Sequence, residues 1–334
     1  MLRILLSSAL LFIVHVPVFA QSDKDLMQVI PEKDKTDALA KTDLFLPAIV
    51  SADIRPLLDR SVGVKRKAKP VFTAAELTAV KHDGFTSYMH RAYNLPAWVS
   101  YSMNKEHLEH PGKFSRADNY PKDPAYPVLK SDLYRGSGYD HGHLAPARDF
   151  KHVEAQYVES NTMTNMSPQH GCFNQKGWCM LETLCREWTL EHAKTTTYIV
   201  TGPVLNPLSA GSLFLDTLCI HDSMKVFVPA YFFKAICFYD AVADTALTIG
   251  FVVPNRDVDN PEVRSMAVSI DQLEAITGIN FFPALNDRSE QSTEQRLPDM
   301  NYNYSSECGT KPCSSIYKNR DTPDLRIRLR CRPE

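Results

Sequence analysis

Four runs of apolar and β-branched residues recur in the second half of the chain: Thr196 to Thr201, Lys225 to Val228, Phe232 to Phe238 and Leu247 to Val253. Each has strand length, and three stop at Gly202-Pro203, Pro229 and Pro254. Runs of this kind satisfy their backbone polar groups only by pairing, so they commit the chain to a sheet. A fifth run, Ala97 to Met103, lies upstream. Helical patterns over Asp149 to Glu159, Asn174 to His192 and Ile270 to Thr277 interleave with the strands, and together they predict a single mixed α+β domain over 72–286. The last helix is the best marked. Ser269 and Gln272 form a capping box, Val268 and Leu273 a hydrophobic staple, and Gly278 a C-terminal stop.

The flanks differ in kind. Arg3, an apolar run from Ile4 to Val18, and Val18-Phe19-Ala20 before Gln21 make residues 1–20 a signal peptide, which implies a secreted or periplasmic protein. No later segment has the length and apolarity of a membrane span. Residues 21–71 form a polar extension that ends in the basic cluster Lys65-Arg66-Lys67-Ala68-Lys69, read as a solvated linker in preference to a phosphate-binding arm. Residues 287–334 are a Cys-containing extension, and Leu325 to Arg332 alternates apolar residues with arginine as a strand would. The eight cysteines all lie in the C-terminal half, and behind a signal peptide their even number points to disulfides whose pairing is not readable. The net charge is −2, so contact with nucleic acid has to rest on local basic patches. Oligomeric state leaves no trace in the sequence.

Chemistry concentrates in Tyr134-Arg135-Gly136-Ser137-Gly138-Tyr139-Asp140-His141-Gly142-His143-Leu144-Ala145-Pro146-Ala147. Its glycines permit tight backbone beside a cleft, and on an extended chain His141 and His143 face the same side. A metal-binding histidine pair is one reading of that spacing. Downstream come Asn165-Met166-Ser167-Pro168-Gln169 and Phe173-Asn174-Gln175-Lys176-Gly177-Trp178, then Glu182 and Arg186. On one regular helix Asn174, Trp178, Glu182 and Arg186 step by four, which keeps the three polar residues within about 120° of one face. An amide, a carboxylate and a guanidinium there suit a hard cation and a phosphate. By themselves they equally describe the outer face of an amphipathic helix.

These segments, with Tyr198 to Pro203, Val228 to Lys234 and Val268 to Leu285, occur in the order found in the DNA/RNA non-specific endonucleases, which the chain resembles over about residues 95–285. The resemblance implies a ββα-metal nuclease fold, an antiparallel central sheet flanked by helices. It also implies a metal-dependent endonuclease that cuts DNA and RNA to 5′-phosphate ends. His143 stands at the position of the general base and Asn174 at that of the metal ligand. The metal that the resemblance implies is Mg2+, with Mn2+ or another divalent cation as substitute. Glu182 corresponds to the carboxylate that orients the cation's waters, Asn165 to a residue lining the scissile phosphate, and Arg186 to the phosphate-side arginine. Asp140, His141 and Gln169 are assigned to substrate binding. Two positions depart from the pattern: His141 replaces an arginine, and Ser102 replaces an expected basic residue, so a permanent charge is missing twice. The alternative is a nuclease fold that binds nucleic acid with weakened or lost turnover.

Overall fold

The computed structural model describes residues 76–115, 120–129, 133–206, 214–220, 224–258 and 260–285, with 297, 298, 300, 302 and 308. The expected signal peptide, the polar extension with its basic cluster, and the alternating Leu325 to Arg332 segment lie outside the described residues.

The strands are β1 (Leu77–Lys81), β2 (Phe85–His90), β3 (Leu95–Met103), β4 (Tyr139–His143), β5 (Met166–His170), β6 (Thr196–Pro203), β7 (Phe214–Ile220), β8 (Met224–Pro229), β9 (Tyr231–Asp240), β10 (Thr245–Pro254) and β11 (Ala267–Val268). Seven of them make one sheet in the order β1-β2-β3-β6-β9-β10-β11, antiparallel at every pairing. β4 pairs with β5 and β7 with β8 in two separate ribbons, each antiparallel. The fold is therefore α+β with a large antiparallel sheet, as the strand runs imply.

Burial along β9 explains its composition. Every residue from Phe232 to Tyr239 is buried, so both faces of the strand are covered. Phe232 stacks on Phe173 at 5.3 Å and meets Trp178 at 5.8 Å, whereas Phe233, one residue on, meets Phe281 at 5.4 Å. Successive side chains of a strand point to opposite faces, which makes the sheet the middle of three layers. On one side lies a long helix, α3, made of Gly171–Phe173, a π turn Asn174–Trp178 and Cys179–Glu191. On the other lies α4 (Ile270–Thr277), which has the expected capping box and ends on Gly278 at φ 72°. Glycine adopts that left-handed conformation with no Cβ penalty. Two short helices, α1 (Lys105–Glu109) and α2 (Glu154–Glu159), lie beside the site.

Two expected helices differ from their observed form. The segment from Asp149 divides into a 3-10 turn, Ala147–Phe150, and α2, because Phe150 is drawn into the core against Phe85 and Tyr101 while Val153 takes extended angles. The segment from Asn174 contains the π turn, so it is not one regular helix. The wider turn shifts Asn174 in phase relative to Glu182 and Arg186.

The cysteines also divide. Cys179 at the start of the regular part of α3 is bridged to Cys308, and Cys172 is disulfide-bonded as well. Disulfides are present as the count implies, while Cys185 and Cys237 are buried thiols, so not every cysteine is paired. Both lie in the packed core, Cys185 on α3 and Cys237 on β9.

Candidate active site

His143 ends β4, where its backbone carbonyl accepts a 3.2 Å hydrogen bond from Nε1 of Trp178. Its Nε2 lies 3.2 Å from Oδ1 of Asn161. The amide of Asn161 is oriented by its own donor, since Nδ2 gives a 2.8 Å hydrogen bond to the carbonyl of Tyr157. Oδ1 is thus an acceptor, and the neutral His143 ring carries its proton on Nε2 and its lone pair on Nδ1. Nδ1 is the nitrogen suited to take a proton. Asn161, which sequence reasoning missed, acts through His143. It sits four residues before Asn165 in a polar stretch with no local period to mark it.

Asn165 is placed differently from expectation. It is fully buried: its Oδ1 accepts from Ala145 N at 2.9 Å, and its Nδ2 donates to the carbonyls of Ala145 and Ser160, both at 2.7 Å. The side chain ties the end of β4 to the end of α2 and cannot touch a phosphate. Gln169 is also fully buried, and neither atom of its carboxamide has a hydrogen-bond partner among the described residues. It crosses over Gly142, where any Cβ would collide with the carboxamide. Packing across the ribbon replaces the substrate contact expected of Gln169.

Asp140 is likewise not a phosphate contact. Its Oδ2 accepts from Nδ2 of Asn174 and from Nε2 of Gln175, each at 3.0 Å. An anion that accepts two amide donors repels a phosphate and orients its neighbours instead. With Nδ2 of Asn174 held by Asp140, the amide oxygen is the donor atom left to a cation. Among the described residues no three His, Cys, Asp or Glu side chains group so as to hold a metal. A neutral amide with a single carboxylate nearby fits a hard cation that keeps most of its own water, and does not fit tightly caged zinc.

Glu182 and Arg186 occupy the α3 wall. Glu182 retains some exposure, yet the dense surroundings of its carboxyl push its pKa up to about 7 against the pull of Lys234 and Arg186. Lys234 is fully buried, its Nζ 4.7 Å from the centre of the Trp178 ring. Arg186 gives a 2.9 Å bond to Oδ1 of buried Asp149 and a 3.0 Å bond to Oγ1 of Thr183. Burial opposes its charge, and Asp149 and Glu182 more than restore it. Tyr101 donates to the other Asp149 oxygen at 3.0 Å, which fixes the pair from below. Arg186, His143 and Asn161 line one cavity of about 750 Å3. His141 shares a face with His143, as the spacing requires, but its ring lies parallel to Tyr120 at 4.3 Å and against Tyr134 at 4.9 Å. Ser102 is exposed on β3.

A two-stranded ribbon followed by a helix, with a histidine on one strand and an amide on the helix, defines a ββα nuclease site. The chain belongs to the DNA/RNA non-specific endonuclease family, whose model matches residues 66–288. It is 30% identical over 211 residues to a nuclease of Nostoc sp., covering 60% of this chain and 71% of that protein. It is 31% identical over 218 residues to the mitochondrial nuclease EXOG of Danio rerio, covering 63% of this chain and 60% of that one. Thus the match to the zebrafish protein spans less than two thirds of its length. Among solved structures, the EndoG/EndoGI complex matches with a TM-score of 0.51 and 25% identity, over 63% of this chain and 88% of the matched one. Relatives carrying mitochondrial names stand beside a bacterial one, so the family leaves the compartment open. No helix among the described residues is long and apolar enough to cross a membrane.

Proposed function

We propose that the chain is a secreted or periplasmic, Mg2+-dependent endonuclease that hydrolyses phosphodiester bonds of DNA and RNA and leaves 5′-phosphate ends. The observation that carries this reading is His143, held by Asn161 in one tautomer and facing the same cavity as Arg186. Nδ1 of His143 removes a proton from water as it attacks phosphorus. Arg186, fixed by Asp149 and Thr183, faces the phosphoryl oxygens with a preorganised charge. Asn174, its amide turned by Asp140, would hold the cation through its oxygen, and Glu182 would orient the cation's waters. When bound, the cation would supply positive charge that offsets the negative charge developing as the P–O3′ bond breaks, and the departing 3′-oxygen takes its proton from solvent. Groups of this kind grip the backbone and read no base edges, which supports weak sequence preference and tolerance of either sugar. Secretion rests on the leader at residues 1–20, and the Cys179–Cys308 bridge suits an oxidising compartment.

The test is digestion of DNA and RNA by the mature protein across pH and divalent cations, beside His143→Ala. Equal rates for the two proteins with metal present would sink the assignment. The second reading, a binding protein with weakened turnover, draws on His141, whose imidazole is packed between tyrosines where a permanent cation was expected. Retained binding with no cleavage at any pH or metal would favour it.

A further inference from the structure

The cavity at His143 extends well beyond it. Its walls include His107 on α1, Lys113 in the following loop, Arg148 on the 3-10 turn, Lys151 just after that turn, and Glu187 on α3. Lys113, Arg148, Lys151 and Arg186 face it as cations and Glu187 as its one carboxylate, on a chain whose net charge is −2. Such local charge is what a polyanion requires when the molecule as a whole offers none. Arg186 already has Asp149 as a partner. Lys151 lies with Nζ 5.8 Å from the Tyr157 ring, which fixes its stem along the wall. His107 is stacked on His152 at 3.9 Å, and burial together with that neighbour holds its pKa below the usual histidine range. Permanent charge in this part of the cleft therefore comes from arginine and lysine. The volume, about 750 Å3, suits a short stretch of one strand.

His141 supplies charge only when protonated, and its ring is stacked on Tyr120. Arg148 lies five residues after His143 and lines the same cavity. We propose that Arg148 supplies the permanent phosphate-gripping charge that His141 lacks, and that Lys151 and Lys113 continue it as a track for the phosphates of one strand beside the scissile bond. This rests on the nuclease reading above for the nature of the ligand.

The test measures binding of a labelled single-stranded deoxyoligonucleotide with Mg2+ to the full chain carrying His143→Ala, so that turnover does not intervene. Adding Arg148→Ala or Lys151→Ala is expected to raise Kd about tenfold each and to lower the slope of log Kd against log salt by about 0.7 per residue. His141→Arg should recover affinity in the Arg148→Ala protein and add little where Arg148 is intact. Lys225→Ala, on an exposed position of β8, serves as control. A Kd and salt slope for Arg148→Ala equal to those of Lys225→Ala would overturn the proposal, as would an equal gain from His141→Arg with and without Arg148. Cleavage of the same oligonucleotide by the unaltered chain is followed in parallel. Arg148-dependent binding without cleavage removes the nuclease reading and leaves the track standing; cleavage with Arg148-independent binding does the reverse.

Discussion

The seven-stranded sheet and the β4–β5 ribbon are held together in opposite ways. β9 pairs with β6 over eight positions and with β10 over ten, and its side chains from Phe232 to Tyr239 are buried on both faces. The ribbon pairs over five positions, and four of the five residues of β4 keep some exposure. It is secured by a few side chains that reach its backbone from elsewhere. Asn165 binds Ala145 just past the end of β4. Trp178 binds His143, and Asn255 binds Pro168 and His170 of β5 while also reaching Pro229 of β8. Apolar burial, roughly additive and tolerant of detail, maintains the sheet. The ribbon buries Met166 to Gln169 of β5 as well, and the directional hydrogen bonds added to that burial set the position of the reacting groups. The molecule thus separates the part that supplies stability from the part that supplies geometry.

That separation can be broken from either side. The largest effect belongs to His143→Ala, expected to lower the cleavage rate by roughly 10²–10⁴-fold while a thermal melt stays close to that of the unaltered chain. A large fall in melting temperature would show that the ribbon bears stability after all. Ile236→Ala, at a buried position in the middle of β9 opposite Ile249, should cost about 2–5 kcal/mol in a denaturant titration. Per folded molecule it should spare the cleavage rate.

Asn165→Ala lies between these extremes. It leaves the buried NH and carbonyl of Ala145 and the carbonyl of Ser160 without their partner, for a loss of about 1–3 kcal/mol. Because it frees the end of β4, the rate should fall by more than the folded fraction does. Proportional losses would mean that Asn165 stabilises without positioning.

The smallest effect concerns acid. Asp123 is buried beside His82 at 3.0 Å and accepts from Thr164 at 2.5 Å. Burial raises its pKa, but the hydrogen bonds from His82 and Thr164 outweigh it and hold the carboxyl below its ordinary value. A carboxyl lowered in the folded state contributes stability above its unfolded pKa, near 4, and loses it as pH falls through the folded value. Asp123→Asn should flatten the acid limb of a stability–pH curve without moving the limb above pH 5. An unchanged acid limb would remove Asp123 from the account.

Legibility followed the range of the interactions. The capping box of α4 appears as expected because Ser269 and Gln272 are three residues apart and the motif is local. The strands β6, β9 and β10 follow from composition and period. Asp140 with Asn174, His143 with Asn161, and His170 with Asn255 are pairs separated by 34, 18 and 85 residues, and no local pattern announces them. Asn165 and Gln169 lie in the expected segment, but nothing local distinguishes an amide turned inward from one facing a cleft. The π turn at Asn174 to Trp178 escaped for the same reason, since its residues read as ordinary helix.

By itself the sequence determined the α+β class, the strands β3, β6, β8, β9 and β10, the caps of α4 and the family, because backbone periodicity and ordered motifs are written in neighbouring residues. Tertiary structure decided which amides strap the ribbon, which nitrogen of His143 carries the proton, and that His141 stacks while Arg148 faces the cleft. Those outcomes depend on which distant groups meet, on the desolvation each suffers there, and on the hydrogen-bond partners each finds.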